Sequence, residues 1–124
     1  MNDLLIKGYT YSPSVYFNEQ TGELNLDGEY YQEYDVAFFK PIHDWLDSYL
    51  KQKGRTVTIN LKLSHLNSCA RRRVDQIMEQ LQHYHNSRKG KVLVRWYYLD
   101  ADMKEEGQEL SDNFQYLPIH VLPA

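Results

Sequence analysis

No apolar run in this 124-residue chain approaches the roughly 18 residues that a bilayer-spanning helix needs, so membrane insertion is not expected. The start, Met1-Asn2-Asp3-Leu4, carries an acid and lacks a basic stretch followed by an apolar one, so no export signal is expected either. Cysteine is nearly absent. The single Cys69 cannot close an intramolecular disulfide, which fits a reducing cytoplasm. Positive charge is in deficit, with 14 Lys and Arg against 17 Asp and Glu and a formal net charge of −3. Phosphate affinity comes from clustered Lys and Arg, so the balance argues against a general nucleic-acid binder. A Gly-rich phosphate loop is missing, and no zinc-ligand spacing occurs. His83 and His85 are two apart on an expected helix, about 200° around it, and cannot share an ion. His43, His65 and His120 are scattered, so neither a metal nor a cofactor is expected.

What is present is the balance of a globular protein, 42% hydrophobic and 25% charged. A chain of this size forms a single domain, residues 1–124, hiding roughly 65% of its unfolded surface around one core. Eleven tyrosines exceed what such a core comfortably buries. A large ring with a polar tip suits half-exposed contact surfaces, although tyrosine is also a good strand residue.

The patterning predicts strands over residues 14–17 and 23–27, joined as a hairpin by the turn cluster Asn18-Glu19-Gln20-Thr21-Gly22. A helix is expected over 35–52, where Val36, Phe39, Ile42 and Leu46 recur at helical spacing; Asp35 is its candidate N-cap and Gly54 its stop. Pro41 predicts a kink or a late start there. Val57, Ile59, Leu61 and Leu63 alternate with polar residues, so this strand has one apolar and one polar face. Helices therefore cover one side of the sheet and leave the other partly open to a partner. A second helix is expected over 68–88, with Ala70, Val74, Ile77, Met78, Leu81 and Tyr84 as its buried stripe. A strand over 92–98, an acidic helix over 102–114 weakened by Gly107, and a last strand over 118–122 complete the order. Such alternation implies parallel strands joined by helical crossovers, an α/β fold.

The junction Leu63-Ser64-His65-Leu66-Asn67-Ser68-Cys69-Ala70-Arg71-Arg72-Arg73 carries the most chemistry. A strand ends, a short loop turns, and Ser68 starts a helix. Ser68 or Asn67 can serve as an ordinary N-cap, worth about 1 kcal/mol. A phosphate on Ser68, however, would meet free backbone N–H groups and the positive end of the helix dipole. Arg71, Arg72 and Arg73 stand in the first turn, where that dipole disfavours cations, which points to an anionic group or an acidic partner. The plain alternative is that they are solvated. Cys69 beside a helix N-terminus and near His65 has some features of a nucleophile, but no orienting acid accompanies the pair. Asp100, Asp102, Glu105, Glu106 and Glu109 read as a solvated acidic helix that would repel a nearby phosphate or attract a basic partner.

Several stretches carry a resemblance, in order across nearly the whole chain. Ser12-Pro13-Ser14-Val15-Tyr16-Phe17 and Thr21-Gly22-Glu23-Leu24 form one set; Phe38-Phe39-Lys40-Pro41-Ile42-His43-Asp44-Trp45-Leu46 is another. Leu66-Asn67-Ser68, then Trp96-Tyr97-Tyr98 with Asp102-Met103, Glu105 and Gly107, complete it. The chain resembles the SiaC-like biofilm-regulation phosphoproteins, whose fold is related to STAS domains. The resemblance implies a STAS-like mixed sheet with helices mainly on one face. It also implies a partner-switching module: a serine/threonine kinase phosphorylates the acceptor turn, a phosphatase reverses it, and the unmodified form binds a diguanylate cyclase and promotes cyclic-di-GMP synthesis. By position the acceptor is Ser68, Asn67 shapes the turn, and Cys69, Arg71 and Arg72 lie at the interface. The chain departs from the family pattern at Cys69-Ala70-Arg71, where further Ser or Thr are usual, and at Gln32-Glu33-Tyr34, where Pro-Glu-Asn is usual.

The expected function is thus that of a cytoplasmic binding switch and not an enzyme. The alternatives are a constitutive scaffold or homodimer built on the tyrosine-rich surface and, further off, a small hydrolase using Cys69 or Ser68 with His65.

Overall fold

The computed structural model describes residues 2–8, 13–29 and 36–124. Its elements are β1 (Leu4–Ile6), β2 (Ser14–Phe17), β3 (Glu23–Glu29), α1 (Val36–Tyr49), β4 (Thr56–Ser64), α2 (Ser68–Asn86), β5 (Lys91–Tyr98), α3 (Ala101–Asn113) and β6 (Ile119–Pro123). All six strands form one sheet in sequence order. β1, β2 and β3 pair antiparallel, whereas β3, β4, β5 and β6 pair parallel. Each parallel step is bridged by one helix and advances the sheet in the same direction. Right-handed crossovers then place all three helices on one face.

The strand patterns agree. Val15, Phe17, Leu24, Leu26, Val57, Ile59, Leu61, Leu63, Val92, Val94 and Trp96 are buried on the helix side. The register carries a row across the other face that starts at the exposed Leu5 and Tyr16 and becomes polar through Asn25, Asn60 and Arg95 to His120. The expected mixed α/β sheet, covered on one side, is therefore observed. All six residues of the expected α2 stripe are buried.

Three details differ from expectation. β1 escapes the pattern because three residues cannot show an alternation. α1 does not start late; it begins at Val36 and runs through Pro41, which sits inside it. The ring removes the hydrogen bond to the carbonyl of Ala37, an exposed position where water can replace it. Phe39, Ile42, Trp45, Leu46 and Tyr49 hold the helix by burial, Trp45 stacking on Tyr49 at 4.5 Å and meeting Phe17 edge-on at 5.2 Å. The helix also ends at Tyr49, short of Gln52, and Gly54 turns the chain with φ +87°.

Gly107 has a packing role. It is buried, and a Cβ there would come within 2.4 Å of Trp96 Cδ1. The missing side chain lets α3 lie against the indole, whose Nε1 donates to the Met103 carbonyl at 2.8 Å. Of the eleven tyrosines, Tyr49 and Tyr84 are buried with their hydroxyls donating to backbone carbonyls, while Tyr16 and Tyr116 are exposed. Tyr9, Tyr11, Tyr30, Tyr31 and Tyr34 lie outside the described residues, as do Asp35 and the Gln32-Glu33-Tyr34 loop.

Candidate functional site: the turn at the head of α2

β4 delivers the chain to the carboxyl edge of the parallel strands, where open α/β sheets usually bind ligands. The connection to α2 is three residues long. His65 takes a left-handed conformation, φ 56°, to reverse the chain, and Leu66 tucks against the core. Asn67 is the N-cap: its backbone is extended (φ −74°, ψ 171°), and its Oδ1 accepts from the Ala70 N–H at 2.7 Å. The Asn67 carbonyl accepts the first helical bond, from the Arg71 N–H at 2.9 Å. Ala70 is fully buried and fixes the first turn against the sheet.

Of the two residues able to cap, Asn67 does so, which frees Ser68. Ser68 is the first helical residue and is exposed. The N–H groups of Ser68 and Cys69 are among those that a helix start leaves without an intrahelical acceptor. Cys69 is an exposed free thiol.

The three arginines do not act as a group. Arg71 is largely buried, and its Nη1 donates to Asp75 Oδ1 at 2.9 Å. Its Nε lies 3.2 Å from Glu106 Oε2, out of line for a good hydrogen bond, so Arg71 ties α2 to α3 electrostatically. Its Nη2 is buried with no hydrogen-bond partner among the described residues. Arg72 is exposed, and Arg73 donates to Gln76 at 3.0 Å. Burial pushes the Asp75 carboxyl above its ordinary value; Arg71 works against this, and Glu79 and Glu109 add to it.

Ser68, Asn67, Arg71, Arg72 and Asp75 line one depression of about 410 Å³, whose far wall is Glu106 and Glu109 of α3. In the sequence α3 reads as a solvated acidic helix, and the two carboxylates are not visible there as neighbours of Ser68. A signal was available: Glu106 flanks Met103, Gly107 and Leu110, which form the buried side of α3. Among the described residues no three His, Cys, Asp or Glu side chains gather as metal ligands, and no helix is long and apolar enough to cross a membrane.

Residues 6–124 match the model of a family described as the SiaC family regulatory phosphoprotein. The chain belongs to the SiaC family. The matched span contains every element from the end of β1 onward, including the Ser68 turn and its acidic wall. SiaC of Pseudomonas aeruginosa has the same fold, at TM-score 0.91 and 26% identity over 100% of both chains. Its apo crystal structure likewise matches at TM-score 0.91 and 25% identity, covering 98% of this chain and 99% of that one. A further match, at TM-score 0.92 and 24% identity over 98% of this chain and 100% of that chain, comes from the crystal structure of the diguanylate cyclase SiaD in complex with its activator SiaC, also from Pseudomonas aeruginosa. A Pseudomonas aeruginosa (strain UCBPP-PA14) protein described as uncharacterised is 28% identical over 115 residues, 93% of this chain and 89% of its own length. Family membership makes the chain a regulatory protein rather than a catalyst, which sets aside the hydrolase alternative.

Proposed function

We propose that this SiaC-family chain, a single domain over residues 1–124, is a cytoplasmic partner-switching regulator. Its unmodified form binds and activates a diguanylate cyclase, and reversible phosphorylation of Ser68 by a serine/threonine kinase and a phosphatase controls that binding. The observation that carries the reading is the division of labour at the turn. Asn67 supplies the cap, leaving the Ser68 hydroxyl exposed with no hydrogen-bond partner among the described residues.

The depression explains how a phosphate would act. Two arginines there face three carboxylates, Asp75, Glu106 and Glu109, so the surface is already slightly acidic. A phosphate adds about −1.5 to −2 charges at neutral pH. It is favoured by the head of α2 and by the unused Arg71 Nη2, and repelled by Glu106 and Glu109. It therefore competes with Glu106 for Arg71 and loosens the tie between α2 and α3. Asn67, Cys69, Arg71 and Arg72 border the acceptor and form the contact surface that this change remakes.

Purified unmodified and Ser68-phosphorylated protein, titrated against a cognate diguanylate cyclase, test the reading. Binding and activation by the unmodified protein and the Ser68→Ala variant, with loss of both on phosphorylation, are expected. Equal binding by the two forms would refute the switch. One observation favours a constitutive association surface instead: Leu5 and Tyr16, paired neighbours on the open face, are 71% and 42% exposed. That reading requires Ser68 to remain unmodified under every growth condition.

A further inference from the structure

At the other end of β4, about 27 Å from Ser68 by strand length, lies a larger depression of about 790 Å³. Two loops, the last turn of α2 and one side chain build it. Parallel pairing sets Thr56 beside Lys91, which brings together the loops leading into β4 and β5, and Tyr116 closes one side. Arg55, Arg88, Lys89 and Lys91 line it together with His85, and no Asp or Glu does. In a chain of net charge −3 this is a marked segregation of charge. Among the described residues none of these four cations takes part in a salt bridge.

Three features exceed a solvated basic patch. First, Arg55 is held rigid: its guanidinium lies 3.8 Å from the Tyr49 ring centre, Nε donates to the Tyr49 carbonyl at 3.0 Å, and Nη2 donates to Gln52 at 3.0 Å. Its charge is fixed at the edge of the depression without being neutralised by a carboxylate, on the flank shared with a neighbouring hollow that Tyr49 and Gln52 also line. Second, Arg88 occupies the left-handed position that closes α2, φ 56°, with its N–H bonded to the His85 carbonyl and the Lys89 N–H to the Tyr84 carbonyl, both at 3.2 Å. Glycine is the usual residue there, because a side chain strains the backbone. Strain of this kind, tolerated where a charged side chain faces a cavity, is a mark of function. Third, His85 Nδ1 accepts the Val92 N–H at 3.2 Å, so the neutral ring carries its proton on Nε2, as a donor. The dipole of α2 attracts cations to its carboxyl end, which accounts for Arg88 and Lys89 but not for Arg55 and Lys91, which belong to the approaches of two strands.

Tyr116 decides the class of ligand. It is 76% exposed, with its ring offered at the rim of a cationic depression whose volume falls in the range of small-molecule sites. Fixed positive charge beside an open aromatic face fits a planar base carrying several phosphate charges. We propose that this end of the molecule is a nucleotide site, with Arg88, Lys89, Lys91 and the His85 N–H on the phosphates and the Tyr116 ring against the base. The proposal is independent of the Ser68 switch.

The test is a titration of the full-length unmodified chain with ADP, GDP, pyrophosphate and adenosine, read by amide NMR shifts and calorimetry. Saturable shifts at Gly90, Lys91 and His85 with a nucleoside diphosphate are expected, weakening as salt is raised. Tyr116→Ala should weaken nucleotide binding about tenfold and leave pyrophosphate unaffected. Arg88→Gly should also weaken binding about tenfold while raising the melting temperature by roughly 4 °C, because it relieves the strain. Lys91→Gln, an exposed change, should weaken binding without touching stability. No shift at millimolar nucleotide would overturn the site. Pyrophosphate binding as tightly as ADP, with Tyr116→Ala silent, would overturn its assignment to nucleotides.

Discussion

Replacing the two neighbours at the head of α2 separately should give opposite results. Asn67→Ala removes the acceptor of the 2.7 Å bond from the N–H of Ala70, the buried residue of the first turn. Loss of an Asn cap costs about 1 kcal/mol, within a range of about 0.5–2. For a domain of this size, that lowers the melting temperature by about 4 °C. Ser68→Ala removes an exposed hydroxyl that no described residue bonds and replaces serine with a better helix former. Its expected effect is between zero and a gain of about 0.5 kcal/mol. Thermal unfolding followed by circular dichroism, with urea titrations to confirm that the slope is unchanged, measures both. If Ser68→Ala costs as much as Asn67→Ala, the hydroxyl is a structural cap. It is then not held free for modification.

Gly107→Ala should destabilise the chain despite its better helix propensity. The new methyl group would lie 2.4 Å from the Trp96 ring, so overpacking of about 1–3 kcal/mol and strain on the Trp96–Met103 hydrogen bond outweigh the gain of about 1 kcal/mol. Chemical denaturation checks this, and a more stable variant would contradict the close packing. Burial raises the Asp75 carboxyl in the folded state, so its ionisation opposes folding. The associated stability is present at acid pH and lost as pH rises through the folded-state value. The melting temperature of the native chain minus that of Asp75→Asn should therefore increase as pH falls from neutral through the carboxylate range. A decrease would mean that the Arg71 ion pair dominates.

Which parts of this were visible in the sequence follows from how local each signal is. The buried faces of β4 and α2 were legible, since period-two and helical spacing survive any tertiary context. The one-sided sheet followed from the polar alternates of β4. β1 was not legible, because three residues paired only to β2 carry no pattern. Ser68 and its turn neighbours lie within one short stretch, so the turn could be read. The acidic wall could not: Glu106 and Glu109 reach Ser68 only because β5 and α3 fold back beside α2. The basic depression was hidden for the same reason. Arg55 and Lys91 look like isolated loop cations until parallel pairing sets their strands side by side. Gly107 read as a flaw in a helix, and its purpose depends on an indole eleven residues earlier.

The most direct test of the switch is mass spectrometry of the protein isolated from its own host, following the tryptic peptide 63–71 before and after phosphatase treatment. That peptide holds two serines, Ser64 and Ser68, so fragmentation must tell them apart. A phosphatase-sensitive phosphate on Ser68 in part of the population is the expected result. A well-covered peptide that is unmodified in every growth condition, or phosphorylated only on Ser64, would contradict it.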